Sequence, residues 1–410
     1  MKYLVSKPDL ILKGSIVLPS SKSIANRALI IHALSYSPYP IENLSDSDDT
    51  RVMEQVFNSN SNQFDIGHAG TAMRFLTAFL SQIVGEWTIS GSDRMKQRPI
   101  GILVDALTKL GARIEYTENE GFPPLRIYGS HLKGCVIELD GSISSQFISA
   151  LLMIAPTIED GLTLRLNNKI TSRPYIEMTL KLMEEFGVHH LWIDNEIRIS
   201  EQKYMARPFS VEADWSGASY WYEMAVMAED VNVELIGLST NSLQGDAIIA
   251  QWFEQLGIKT TATEKGSRLT KNGKPLPEFL QLNFIENPDV AQTFAVLCVM
   301  KQIPFHFTGL ETLKIKETDR IAALKNELAK FGAQLTEPAP GELKWDGTFP
   351  LEKHLLPEIE TYHDHRMALA FAPACLSNGS IAIFDPMVVA KSYPGYWEDL
   401  KKVGFEVEEI

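Results

Sequence analysis

Cysteine is scarce in this sequence: Cys135, Cys298 and Cys375 are the only three in 410 residues, and none lies near another. That excludes a disulfide framework and a CxxC metal site, and it fits a reducing compartment. Positive charge is also in deficit, with 38 Lys and Arg against 52 Asp and Glu, a net charge of −14 and a pI of about 5.2. Nucleic-acid binders carry a basic domain or stripe, so no nucleic-acid partner is expected. Long hydrophobic runs are missing as well. The most apolar stretch, 290–300, is too short to span a bilayer and contains Gln292 and Thr293, so no membrane partner is expected. The opening MKYLVSKPDLILKGS lacks a basic segment followed by an apolar core, so a cytoplasmic protein without a signal peptide is expected. No Pro/Gly/Ser-rich stretch marks a linker. What remains is an ordinary globular composition, 45% hydrophobic and 22% charged, of a length that suits two or three domains.

What the sequence does contain is a repeat. An amphipathic helical pattern ends in an apolar residue and then glycine at Gly111, Gly187, Gly257, Gly332 and Gly404, separated by 76, 70, 75 and 72 residues. Glycine just past a periodic helix is the expected left-handed cap, and the segment after it reads as a strand in most copies. A second pattern runs in phase with the first: a small or polar cluster opens an apolar helix from Gly67, Gly141, Glu212, Glu286 and Tyr362, spaced 74, 71, 74 and 76 residues apart. A shorter copy, PSSKSIANRALIIHAL, starts at Pro19. Two patterns that stay in phase argue for six α/β units of about 70 residues, the first one trimmed, and so for two domains of three units each.

The few basic residues follow this repeat. Lys22, Arg27, Arg74, Arg98, Lys316, Arg320 and Arg366 sit at or near helix starts, with Lys391 just before the last helix. A helix N-terminus already carries unsatisfied N–H donors and partial positive charge, so cations placed there are unfavourable unless an anion answers them. Gly70, Thr71, Ser21, Ser23, Ser144 and Ser145 add hydroxyl donors and room for close backbone approach. Each site alone could be an N-cap or a solvated surface cation. Surface cations would not track the repeat, however, and the set together points to ligands with several phosphate or carboxylate groups. A P-loop is rejected, because Ser21 stands where its glycine is required before Lys22. His363 and His365 lack a third ligand at sensible spacing, so no metal is expected. The KETDR run at Lys316–Arg320 suits a capped first helical turn and an anion site equally well.

The motifs PSSKSIANRAL, HAGTAMR, RMKQRPIG, DGSISSQF, SRPYIEMTL, NSLQGD, NPDVA, KETDR, DHRMA and AKSYPGY, in this order from residue 19 to residue 397, resemble those of the 5-enolpyruvylshikimate-3-phosphate synthase family. The resemblance covers almost the whole chain. It implies an inside-out α/β barrel of two domains, each with three βαβαββ units, and an active site in the interdomain cleft that closes on its ligands. It places the domains at 14–212 and at 1–13 plus 213–410. It implies transfer of the enolpyruvyl group of phosphoenolpyruvate to the 5-hydroxyl of shikimate 3-phosphate, by addition and elimination through a tetrahedral intermediate, in the shikimate pathway to chorismate and the aromatic amino acids.

By the same resemblance Lys22, Asp289 and Glu317 are catalytic. Asp289 takes the proton of the attacking hydroxyl, while Glu317 or Lys22 protonates the phosphoenolpyruvate methylene. Shikimate 3-phosphate falls to Lys22, Ser23, Arg27, Ser144, Ser145, Gln146, Ser172, Asp289 and Lys316. Phosphoenolpyruvate falls to Lys22, Gly70, Arg98, Gln146, Arg320, Arg366 and Lys391. No cofactor and no metal are implied, and a monomer is expected. The sequence departs from the family pattern at Ser20, His68, Phe75, Thr312 and His363. Two rivals are weighed. The related UDP-N-acetylglucosamine enolpyruvyl transferases carry a reactive Cys that SGSDRMKQRP lacks. A catalytically impaired paralogue that binds polyanions would not need Lys22, Asp289, Glu317 and Arg366.

Overall fold

The computed structural model describes residues 1–410, which divide into two compact units, 21–211 and 1–20 together with 212–410. Both follow from one repeated piece of topology. In the 21–211 unit, the strand Gln63–Asp65 leads into the helix Gly70–Leu80 and returns as Gly85–Ser90, parallel to the first strand. The helix Gly101–Lys109 follows, then the strands Arg113–Tyr116 and Leu125–Gly129. The last strand pairs antiparallel with both Gly85–Ser90 and Arg113–Tyr116. The same order recurs from Val136–Asp140 through Glu196–Ile199, and the four strands again form one sheet.

In the 212–410 unit the pattern appears three more times. Its sheets are Ile11–Val17 with Asp230–Ile236, Ile258–Ala262 and Gly266–Lys271; Leu280–Asn283 with Phe305–Thr308 and Leu343–Trp345; and Glu358–Ile359 with Ser380–Phe384, Glu406–Glu409 and Lys2–Ser6. The sixth copy is the trimmed one. Its helices are Lys22–Leu34 and Asp48–Asn58, and its sheet has only two strands, Ile41–Glu42 and Phe209–Ser210.

Within each unit the first helices of the repeats pack on one another and the sheets lie outside them. This is the reverse of a strand barrel wrapped by helices. The inner helices are accordingly apolar all round: every residue of Trp215–Met227 is buried, as are nine of the ten in Ala291–Met300. The five glycines that pace the sequence all close a helix with positive φ, between 80° and 98°, where a Cβ would be strained.

The expected domain limits shift at both crossovers. Residues 14–20 and Glu212 belong with 1–13 and 213–410, so the chain crosses after Ser20 and again after Val211. The cause is an exchange of first strands between two repeats. Ile11–Val17 precedes the helix Lys22–Leu34 in the chain, yet it pairs along its whole length with Asp230–Ile236, which follows Trp215–Met227. Phe209–Ser210 precedes Trp215–Met227 but pairs with Ile41–Glu42. Ladder hydrogen bonds thus carry residues 14–17 across the boundary that the sequence suggests.

Candidate functional site

The expected cations do stand at helix beginnings. In the 21–211 unit, Ser21 caps the helix that Lys22 opens, accepting from Ile24 N, and Lys22 Nζ lies 3.9 Å from Asp49 Oδ2. One turn on, Arg27 is 98% buried with no carboxylate beside it. Its Nε donates to Thr179 Oγ1 (2.6 Å), Nη1 to the Ser23 carbonyl (2.8 Å) and Nη2 to Ser149 Oγ (3.1 Å), and the Phe75 ring lies 5.3 Å away. Burial pushes its proton affinity down to about 10, which leaves it charged at neutral pH. A buried cation among neutral partners is a place prepared for negative charge.

Gly70 opens its helix with the Arg98 guanidinium laid against its Cα; a Cβ there would stand 2.5 Å from Nη1. Ser144 caps Ser145–Ile154, and Gln146 Nε2 donates to Thr71 Oγ1 (3.3 Å), so the opening turns of two inner helices meet. Ser172 precedes the helix Arg173–Glu185 in the left-handed conformation, φ 53°, and is buried.

The 212–410 unit gathers the other expected residues into one charged network. Asp289 lies in the turn Pro288–Val290 ahead of Ala291–Met300. Its Oδ1 meets Arg320 Nη1 (3.1 Å) and Lys316 Nζ (3.5 Å), and its Oδ2 meets Arg366 Nη2 (3.0 Å). Arg320, the first residue of its helix, also donates to Glu317 Oε2 (3.0 Å). Lys391 donates to Glu317 Oε1 (2.6 Å). Four cations and three carboxylates are therefore joined here, counting Asp364 described below. Burial alone would raise the Asp289 pKa, but Arg366, Lys316 and Arg320 outweigh it and hold this carboxyl well below the usual range.

Four partners are not anticipated from the sequence. Asp364, fully buried, accepts from Arg320 Nε (2.6 Å) and Nη2 (3.3 Å) and caps its own helix through Arg366 N (2.9 Å). Its place between two histidines and before the arginine was the available signal. The Tyr220 hydroxyl oxygen accepts from Arg366 Nη1 (3.3 Å), and burial pushes its pKa up to about 12 despite the arginine. Thr179 and Ser149 hold Arg27; the available signals are a hydroxyl in the apolar run around Ser149 and one on the apolar face that Thr179 shares with Ile176, Leu180 and Met183.

The residues that depart from the family pattern resolve locally. His68 is exposed, its Nδ1 2.9 Å from Ser92 Oγ. Phe75 is buried beside Arg27. The Thr312 hydroxyl is buried and meets no hydrogen-bond partner. His363 is 87% exposed beside Asp385 while His365 is buried, so the two do not form a ligand pair.

The family model for EPSP synthase (3-phosphoshikimate 1-carboxyvinyltransferase) matches residues 7–59 and 54–400 of this chain. The chain belongs to the EPSP synthase family. A 3-phosphoshikimate 1-carboxyvinyltransferase of Bacteroides fragilis (strain YCH46) is 54% identical over 409 residues, covering 100% of this chain and 99% of that one. One from Vibrio cholerae serotype O1 (strain M66-2) is 36% identical, covering 97% and 98%. Among solved structures, an EPSP synthase from Acinetobacter baumannii superposes with a TM-score of 0.80 at 22% identity over the full length of both chains. The enolpyruvyl transferase NikO from Streptomyces tendae gives 0.75 at 15% identity, covering 99% and 98%. These two likenesses show that the fold is that of the EPSP synthase family.

Proposed function

We propose that this chain transfers the enolpyruvyl group of phosphoenolpyruvate to the 5-hydroxyl of shikimate 3-phosphate and releases phosphate. The observation that carries the reading is the network of buried Arg320, Arg366 and Lys391 and half-buried Lys316 around the half-buried carboxylates of Asp289 and Glu317. It combines cations suited to phosphate and carboxylate with two carboxylates able to move protons.

In this reading Lys22, Ser23, Arg27, Ser144, Ser145, Gln146, Ser172 and Lys316 hold shikimate 3-phosphate. Arg27 supplies buried charge, and the serines supply hydroxyls and helix-start N–H groups. Phosphoenolpyruvate falls to Lys22, Gly70, Arg98, Gln146, Arg320, Arg366 and Lys391, whose guanidinium forks suit its carboxylate and phosphate. The acid, Glu317 or Lys22, protonates C3 of phosphoenolpyruvate. Asp289 takes the proton from the 5-hydroxyl as its oxygen bonds to C2. The tetrahedral adduct keeps both anionic groups, so the same cations stabilise it. Loss of phosphate from C2 and of a proton from C3 then gives the enol ether. The protein is read as a cytoplasmic monomer that needs no cofactor or metal.

A phosphate-release assay with both substrates tests this. Wild type should turn over and Asp289→Ala should lose at least about a hundredfold. Equal background rates in the two proteins would instead favour a chain that binds polyanions without catalysis.

A further inference from the structure

The backbone that delivers Asp364 and Arg366 is strained. Thr361 O accepts from Asp364 N at 2.8 Å, and the two residues between them, Tyr362 and His363, both have positive φ, 54° and 55°. That is the signature of a type I′ turn, whose central positions ordinarily take Asn and Gly because a larger side chain is unfavourable there. Such a turn persists only where its surroundings over-determine it.

The restraint comes from the helix Arg320–Ala329. Glu327 is 99% buried, and its carboxylate accepts from Tyr362 OH (2.7 Å), Glu360 N (3.0 Å) and Lys330 Nζ (2.6 Å). Lys330 Nζ also donates to the Glu358 carbonyl (2.6 Å). Arg320 and Glu327 are seven residues apart, two turns of one helical face, about 10 Å along the axis. One rigid element therefore grips the 358–364 segment at both ends: Glu327 at Glu360 and Tyr362, and Arg320 at Asp364.

We propose that Tyr362 and Glu327 are positioning residues: their hydrogen bond holds the strained turn so that Asp364 and Arg366 stay in register with Arg320. The proposal rests on the functional reading above only for its kinetic consequence. Neither residue touches the reacting atoms; both act through the turn.

The test uses Tyr362→Phe and the double variant Tyr362→Asn with His363→Gly, which lacks the phenol but removes the backbone strain. Thermal melts establish that each protein folds. Tyr362→Phe should lower kcat/KM for phosphoenolpyruvate by about tenfold to a hundredfold, as expected for a displaced cation, and leave KM for shikimate 3-phosphate within about twofold. The double variant should recover most of the loss, a rescue that a merely structural role for the phenol would not give. Hydrogen exchange at the Asp364 and Arg366 amides should quicken in Tyr362→Phe and slow again in the double variant. This second readout judges the turn even if wild type fails to use these substrates, a result that would sink the functional reading alone. Unchanged exchange in Tyr362→Phe, or a double variant as impaired as the single one, overturns the proposal.

Discussion

Gly70→Ala should separate ligand binding from stability. At this position a Cβ would stand 2.5 Å from Arg98 Nη1, 2.9 Å from Cζ and 3.0 Å from Nη2, whereas ordinary contact begins near 3.4 Å. The guanidinium must therefore withdraw by about 0.9 Å, the difference between those distances. Gly70 is the first residue of its helix and does not have positive φ, so alanine fits the backbone and adds up to about 1 kcal/mol of helix preference. A misplacement of about 1 Å can cost about a hundredfold in a positioned reaction. The expected outcome is a Tm equal to or above that of wild type, with kcat/KM for phosphoenolpyruvate reduced by about tenfold to a hundredfold. KM for shikimate 3-phosphate should change by less than about twofold, since Arg27 and its hydroxyl partners are untouched. Shortening the displaced side chain by Arg98→Lys in the Gly70→Ala background should return part of the loss. Steady-state kinetics with each substrate varied, alongside calorimetric melts, decide the matter. Wild-type phosphoenolpyruvate kinetics in Gly70→Ala, or a loss matched by a lowered Tm, would refute the reasoning.

Two further outcomes follow from buried charge. Glu223 lies in the fully buried helix Trp215–Met227, neither carboxyl oxygen has a hydrogen-bond partner, and burial raises its pKa well above the ordinary value. Its folded form stays protonated while the unfolded chain ionises, so stability falls as pH rises past the unfolded carboxyl range. Glu223→Met, which keeps volume and removes both oxygens, should raise stability by about 1–3 kcal/mol near neutral pH and by less near pH 4. A gain in Tm that does not change between those pH values would count against it. Asp289 is held ionised by Arg366, Lys316 and Arg320, so activity that needs this carboxylate is retained as pH falls through the ordinary Asp range. Lys316→Met removes one of those cations and should move the acid limb of kcat/KM to higher pH; a limb that stays in place would show that Asp289 is not the group observed.

Much of the fold was legible because its signals are local. The glycines after Leu110, Phe186, Leu256, Phe331 and Val403 each end a helix, and their spacing reports six copies of one unit. Ser21, Ser144, Asp319 and Asp364 are side chains that cap helices, and Lys22, Arg320 and Arg366 are visible within two residues of three of these caps. The exchange of first strands was not legible. Ile11–Val17 and Asp230–Ile236 lie more than two hundred residues apart, and nothing in either alternation specifies its partner. The grip of Asp364 on Arg320 and of Thr179 on Arg27 was hidden for the same reason, since a side chain's partner across 44 or 152 residues is set by packing rather than by pattern. The strain at Tyr362 and His363 runs against local preference altogether, as expected where tertiary contacts override it.

The two units solve the same electrostatic problem in different ways. Arg27 is buried among hydroxyls and carbonyls, so its charge is uncompensated and an arriving phosphate displaces no carboxylate. In the 212–410 unit each cation already answers a carboxylate: Arg320 is shared among Asp289, Glu317 and Asp364, Arg366 holds Asp289, and Lys391 holds Glu317. An anionic ligand there must compete for these cations. Competition has a chemical consequence, because the cations that Asp289 loses are the ones that depress its proton affinity. A carboxylate so depressed is a weak base, and one that surrenders Arg366 or Arg320 to a ligand becomes a stronger one. Under the proposed function, the base is thereby weak in the ligand-free protein and gains strength when phosphoenolpyruvate is bound, while the cations it releases meet the charge that the tetrahedral adduct retains.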